Sequence, residues 1–247
     1  MTTFPRLANA PITEALIDIQ AVLPENIRID ELEAIQGRIS AGYPNKESRH
    51  RFSVELQGKG AAKPDVVTAD PVIDGFLARS PDGLQVVQYR LDGFTFSRLA
   101  PYIDWNSLRD EAKRTWQIYK TEARVERVKR IAVRYINSIE VSAGERIEDY
   151  LKRPSLGIPG FEGPPHSFLT REISVDSSTG VSAVVTVAMQ PPADPAKKVV
   201  FLDIDVFKEF STSPSDDEVW GFLERLREVK NAVFFGLATS KALEKFS

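Results

Sequence analysis

Ala15-Leu16-Ile17-Asp18-Ile19 and Ile131-Ala132-Val133-Arg134-Tyr135-Ile136 open two passes through one order of elements. Both stretches are short and rich in isoleucine, so each reads as a strand with a buried face. The helix signal Ile29-Asp30-Glu31-Leu32 follows the first. Ile147-Glu148-Asp149-Tyr150-Leu151 follows the second, 118 residues further along (29 to 147).

Working outward, Pro5 to Pro11 reads as an extended lead into a strand at about 14–23. Asp30 with Glu33 is a variant of the capping box, and Ile29, Leu32, Ile35 and Ile39 carry a helix that Gly42 and Pro44 end. Phe52, Val54 and Leu56 alternate with polar residues as in a half-buried strand, and 58–72 reads as a loop. Pro81-Asp82-Gly83 turns a strand at 76–79 into one at 84–90, and Asp92-Gly93 turns that into 94–99. Trp105, Leu108, Ala112, Trp116, Tyr119 and Ala123 form the apolar stripe of a long helix ending near 124. The second pass predicts a strand at 130–141 and, after Gly144, a short helix through about 152. A long loop at 154–166 leads to strands at 168–175, 181–189 and 199–207. Ser215 with Glu218 caps a second long helix through Val233, and Leu243 and Phe246 mark a last turn or two.

The fold class is α+β: two tandem, weakly similar β-α-β-β-β-α halves, 1–125 and 126–247, with a mostly antiparallel sheet packed on two long helices. The halves form either two domains or one continuous domain. Units of this order curve a sheet around a helix in helix-grip domains and in TATA-binding-type saddles, an analogy that fixes no function.

With 42% hydrophobic residues the chain has a core to bury, and its net charge of −3 argues against whole-surface attraction to nucleic acid or anionic lipid. The absence of cysteine excludes disulfides, thiolate metal sites and cysteine nucleophiles. Met1 to Arg6 holds no apolar run of signal-peptide length, and no stretch is apolar enough to span a membrane, so a soluble cytoplasmic protein is expected.

Leu7-Ala8-Asn9-Ala10-Pro11-Ile12-Thr13-Glu14-Ala15, Asp92-Gly93-Phe94 with Arg98-Leu99 and Tyr102-Ile103-Asp104-Trp105, Arg134-Tyr135-Ile136-Asn137, and Leu202-Asp203-Ile204-Asp205 extend over nearly the whole chain. In order and spacing they resemble an uncharacterised, sporadically distributed bacterial protein family of about this length. That resemblance implies a bacterial protein with no assigned activity, cofactor or catalytic residue. The sporadic distribution implies a link to mobile-element or conflict loci, such as toxin–antitoxin or phage defence.

Candidate chemistry is sparse. The two histidines, His50 and His166, lie far apart without ligand spacing, and each reads as a surface residue. Asp203 and Asp205 share one face of a strand, where two carboxylates either hold magnesium or meet neighbouring cations. Arg134 precedes Asn137, a polar residue on an apolar face. Asn137 therefore reads as an anchor for a neighbouring loop or the segment around Asn9, or as the floor of a pocket. Arg98, on the face of Phe94 and Phe96, either clamps an anion or stacks. Arg98, Arg134, Asn137, Asp203 and Asp205 are thus the candidate ligand-binding set.

A basic run, Lys113, Arg114, Lys120, Arg124, Arg127, Lys129 and Arg130, with Arg134 beyond it, meets only two acids, Glu122 and Glu126. It is a candidate patch for nucleic acid or an acidic partner, or a solvated helix face. No phosphate-cradling loop or serine elbow occurs. The sequence therefore points to a non-catalytic protein-binding module with no cofactor, no metal and an unknown protein partner. Its alternatives are a small-ligand binder or enzyme with a pocket between sheet and helix, and a nucleic-acid binder through 113–134. Exposed edge strands allow a homodimer.

Overall fold

The computed structural model describes residues 4–51, 54–57, 65–68, 71–142, 144–152, 158, 160, 163, 165–190 and 197–247. It is α+β, with a large antiparallel sheet and four α-helices. In chain order these are β1 (Ile12–Val22), α1 (Ile29–Ile39), β2 (Asn45–Arg51), β3 (Val54–Gln57), β4 (Asp65–Thr68) and β5 (Val72–Arg79). Next come β6 (Gln85–Arg90), β7 (Gly93–Leu99), α2 (Trp105–Glu122), β8 (Arg127–Ser142), β9 (Phe168–Asp176) and β10 (Val181–Met189). Then follow β11 (Lys197–Glu209), α3 (Asp216–Leu237) and α4 (Ser240–Phe246). Nine strands run in the order β2-β5-β6-β7-β1-β8-β11-β10-β9, and β3 and β4 make a separate hairpin.

The two stretches that opened the sequence lie side by side. β1 and β8 pair antiparallel at the centre, Ile17 opposite Val133 and Ile19 opposite Ile131. On β1's far side come β7, β6 and β5, and on β8's far side β11, β10 and β9. Alternation then divides every central strand between two faces. Tyr89, Phe94, Ile19 and Ile131 stand opposite one another in successive pairs, and all four are fully buried.

The helices pack on this face. Tyr89 Oη donates to Gln36 of α1 at 2.9 Å, Phe94 meets Trp116 of α2 at 5.7 Å, and Lys230 of α3 lies over Tyr135. The α2 stripe buries Trp105, Leu108, Ala112, Trp116 and Tyr119. Asp104 caps it by accepting from Ser107 N at 2.8 Å, which satisfies an orphan amide of the first turn. The capping box of Ser215 and Glu218 opens α3.

Several local expectations are corrected. α1 begins at Ile29 with Arg28 at the N-cap and no side-chain cap, so Asp30 lies inside the first turn, where its carboxylate faces the positive helix end. The span 58–72 holds β4, and otherwise lies outside the described residues up to 70, as does Phe52. The polar segment 45–51 is a strand that alternation could not show, because an edge strand need not bury a face. The expected helix after Gly144 is one 3-10 turn, Ile147–Asp149. Most of 154–166 lies outside the described residues.

The tight link between β6 and β7 is Leu91-Asp92, not Asp92-Gly93. Gly93 is already paired with Gln20 and Arg90, and a Cβ there would stand 2.4 Å from the Ile19 carbonyl oxygen. Its role is close approach to β1.

Gly93→Ala is therefore expected to cost about 1–3 kcal/mol in urea unfolding, as overpacked sites do. Gly221→Ala, on α3 with nothing within 4 Å of the added Cβ, is expected to stabilise by about 0.5–1 kcal/mol.

Candidate functional site

The face away from the helices carries charge at its centre and aliphatic side chains at one margin. Asp205 stands opposite Arg134, Arg134 opposite Leu16, and Asp18 opposite Thr95, which places their side chains together on that face. Asp18 is the hub. Its Oδ2 accepts from Arg90 at 3.0 Å and from Thr95 Oγ1 at 2.7 Å, and its Oδ1 accepts from Arg130 at 3.4 Å. Thr95 in turn accepts from Arg90, which also reaches Asp92 at 2.8 Å. Arg130 continues to Asp205 at 2.8 Å and lies 4.1 Å over the Phe207 ring. Arg134 grips Asp203 through both nitrogens of its fork, at 2.8 and 2.6 Å.

A band of alternating charge therefore crosses the β1–β8 seam, around a cleft of about 260 Å³. Burial works against the Arg90 charge, but Asp18 and Asp92 outweigh it and hold the pKa above its ordinary value. Burial pushes Asp205 up despite the opposing arginines Arg130 and Arg134. Its Oδ1 is buried without a hydrogen-bond partner among the described residues.

Of the five predicted ligand residues, the structure brings Arg134, Asp203 and Asp205 together. The two carboxylates share a face, and each meets an arginine. Arg98 lies on the helix side with Phe94 and Phe96 and donates to the Pro101 carbonyl at 3.2 Å. Asn137 is buried on the helix side and donates to the Leu202 carbonyl of β11 at 2.9 Å. The N-terminal segment is held elsewhere, by Asn9 on the Phe246 and Ser247 carbonyls and by Ser138 N on the Pro11 carbonyl. The Asn137 side chain is thus an anchor between strands, not for that segment.

The basic run does not form one surface. Arg114 pairs with Glu111, Lys120 with Asp216 and Arg124 with Glu31, at 2.6 to 2.7 Å. Lys113 lies over Trp220, and Arg127 donates to the Ser211 carbonyl at 3.3 Å. Lys129 is exposed, and Arg130 belongs to the band on the sheet. His50 sits on β2 at the sheet edge and His166 just before β9, and both are exposed. Among the described residues no group of three histidine or acidic side chains is placed to hold a metal, and no helix is long and apolar enough to cross a membrane.

The sequence reading missed the margin. Among the described residues β9 is the last strand of the sheet, paired only on its β10 side. Leu169, Ile173 and Val175 are 70%, 57% and 65% exposed. They stand opposite Ala188, Val184 and Ser182, which stand opposite Phe201, Asp205 and Phe207. All therefore lie on the face of the charged band. The opposite edge, β2, is guarded by Lys46, Glu47 and Arg49, each in an ion pair. The alternation of Leu169, Ile173 and Val175 was visible in the sequence, but not that its apolar side is bare.

Lys230 was missed as well. It is 8% exposed, its Nζ is 3.7 Å from the centre of the Tyr135 ring, and among the described residues it has no acidic partner. Burial, then the nearby Arg227 charge, brings its pKa down to about 7.

No family model and no curated protein matches this chain.

Asp18→Ala is expected to cost roughly 1–3 kcal/mol, because it takes one of two carboxylates from each of two buried arginines, Arg90 keeping Asp92 and Arg130 keeping Asp205. Asp203→Ala is expected to cost roughly 0–1 kcal/mol, since the Arg134 side chain is 42% exposed and water replaces its partner. Chemical denaturation of both variants tests the ranking.

Between pH 7 and the ordinary lysine value of 10.5 the unfolded chain holds a proton on Lys230 that the folded chain has released. Stability from this residue therefore rises with pH across that window, with a slope approaching about 1.4 kcal/mol per unit, and the penalty is complete below pH 7. Lys230→Met is expected to remove that slope when unfolding free energy is followed across the window.

Proposed function

We propose that this chain is a non-catalytic protein-binding module whose partner adds an extended segment along β9. The observation that carries this is a strand edge unpaired among the described residues, with three exposed aliphatic side chains on one face of the strand. A strand edge offers main-chain donors and acceptors, and alternate apolar pockets select the side chains laid against them. Exposed apolar patches on soluble chains mark interaction sites. The partner segment has aliphatic residues at every second position. The bacterial family resemblance and its link to mobile or defence loci belong to this reading, as does a cytoplasmic setting.

We also infer that the halves 1–125 and 126–247 arose by duplication. The support is that β7, β6 and β5 step away from β1 as β11, β10 and β9 step away from β8, and that a helix of 18 or 22 residues follows the last strand of each half.

A small-ligand reading of the central cleft is favoured by one feature, the unpartnered Asp205 Oδ1. It has less support, because the arginines and carboxylates around it neutralise one another. The nucleic-acid reading has less again, because most of the basic run is engaged by this chain's own acids and carbonyls.

Display of random peptides against the full chain is expected to enrich sequences with alternating aliphatic residues, and Ile173→Lys with Val175→Lys is expected to weaken their binding at least tenfold. Enrichment of unrelated sequences, or binding indifferent to the double variant, would sink the proposal. Sedimentation of the free chain in parallel separates a foreign partner from a second copy.

A further inference from the structure

Side chains join α2 to α3 at two levels. At one level Glu224 of α3 accepts from Trp105 Nε1 and from Arg109 of α2, both at 2.8 Å. At the other, Asp216 of α3 accepts from Lys120 at 2.7 and 2.8 Å and from Gln117 at 3.3 Å. In both, α2 donates and α3 supplies the carboxylate. Residues four apart share a helix face, so Arg109, Lys113 and Gln117 form one series and Asp216, Trp220 and Glu224 form the other. At the middle level α2 again offers a donor, Lys113, but α3 answers with Trp220 in place of an acid.

That interruption leaves a cleft of about 330 Å³, lined by Arg109, Asp110, Lys113, Trp220, Gly221 and Glu224. Gly221 has no side chain to fill it, and a Cβ added there would meet nothing within 4 Å. The acids of the lining are already engaged. Asp110 meets Arg109 at 2.8 Å, and Glu224 meets Arg109, Trp105 and, at 3.8 Å, Arg227. Two donors are left over. Lys113 makes no ion pair among the described residues, and its Nζ lies 5.9 Å from the centre of the Trp220 ring. Trp220 is 7% exposed, and its Nε1 is buried with no hydrogen-bond partner among the described residues. A buried N–H without an acceptor is unfavourable, so the cleft is short of one acceptor.

We propose that this cleft binds a small organic carboxylate, which supplies the acceptor missing between Glu224 and Asp216. Two hydrogen bonds of about 2.9 Å laid end to end span the gap between the Lys113 ammonium and the indole, so a carboxylate oxygen fits between them. The charge selects an anion: Arg109 and Arg227 balance Asp110 and Glu224, and Lys113 is the cation that remains. The volume selects a small one, at the lower end of the roughly 300–1,000 Å³ of ligand sites. The indole and the bare backbone of Gly221 favour a compact apolar body behind the carboxylate. The site lies between α2 and α3, so it stands or falls independently of the β9 reading.

Titration of the nitrogen-15-labelled full chain with benzoate, read at the tryptophan indole N–H signals, tests it. The chain has three tryptophans, and Trp220→Phe identifies the signal of Trp220. In the wild type that signal is expected to shift and saturate, while the signal of Trp116, which does not line the cleft, stays in place. Benzamide, a neutral molecule of the same shape, is expected to bind several-fold more weakly, as is benzoate to Lys113→Gln. Gly221→Leu fills the cleft and leaves every polar group in place, and it is expected to abolish the shift. A wild-type Trp220 signal that stays still, or that moves without saturating, would overturn the proposal without recourse to any folded variant. So would equal responses to benzoate and benzamide, or undiminished binding in folded Gly221→Leu.

Discussion

The β1–β8 ladder is the constraint on which the rest of the molecule depends. It joins residues more than a hundred positions apart, and its register decides which side chains face the helices. Because the side-chain period is two, a slip of one residue would turn Ile17, Ile19, Ile131 and Val133 outward and drive Asp18, Arg130 and Arg134 into the core. Neither arrangement is neutral: the first exposes four branched aliphatics, and the second buries three charges. The band on the far face also opposes such a slip, since Arg130 meets Asp18 from one flank and Asp205 from the other only in this register. Ion pairs so far removed from water add little net stability, and fixing a unique arrangement is the use that best accounts for them here.

The fold was legible in the sequence wherever apolar periodicity was unbroken. The stripe of α2, the Ser215 capping box and the strands from 168 to 207 all stand where the pattern puts them. What failed was local geometry. An all-polar strand such as β2 has no period to detect, and Asp92-Gly93 looks like a turn because glycine's second use, letting one backbone approach another, leaves the same letter in the sequence. The site was legible in part. Two aspartates two apart predicted a shared face, but Asp18, Arg90 and Thr95 could not be joined to them without knowing that β7, with β6 beyond it, lies on one side of β1 and β8 on the other. Asn137 read correctly as a buried polar group, while its partner, a carbonyl on β11, could not be read from spacing.

The two faces divide the work of specifying the structure. The helix side is bound by shape: Trp116, Tyr119, Phe94 and Tyr135 interlock around the central ladder, with the Lys230 amine over the Tyr135 ring. The far side is bound by charge at its centre and ends in aliphatics at β9, the last strand on that side among the described residues. The two edges of one sheet thus present opposite chemistry to water. Ion-paired residues on β2 discourage association, and the bare aliphatics of β9 invite it.

The central ladder also sets an order of events during synthesis. When the first 125 residues leave the ribosome, β1 can pair with β7 on one side only, because β8 has not yet been translated. At a translation rate of about 5–20 residues per second, the chain then waits several seconds for the rest of the sheet. Through that interval the outer edge of β1 stays open, with Asp18 lacking Arg130. The nascent first half is therefore a hydrogen-bond template in search of a strand, and the second half of its own chain is tethered nearby as the first competitor for it.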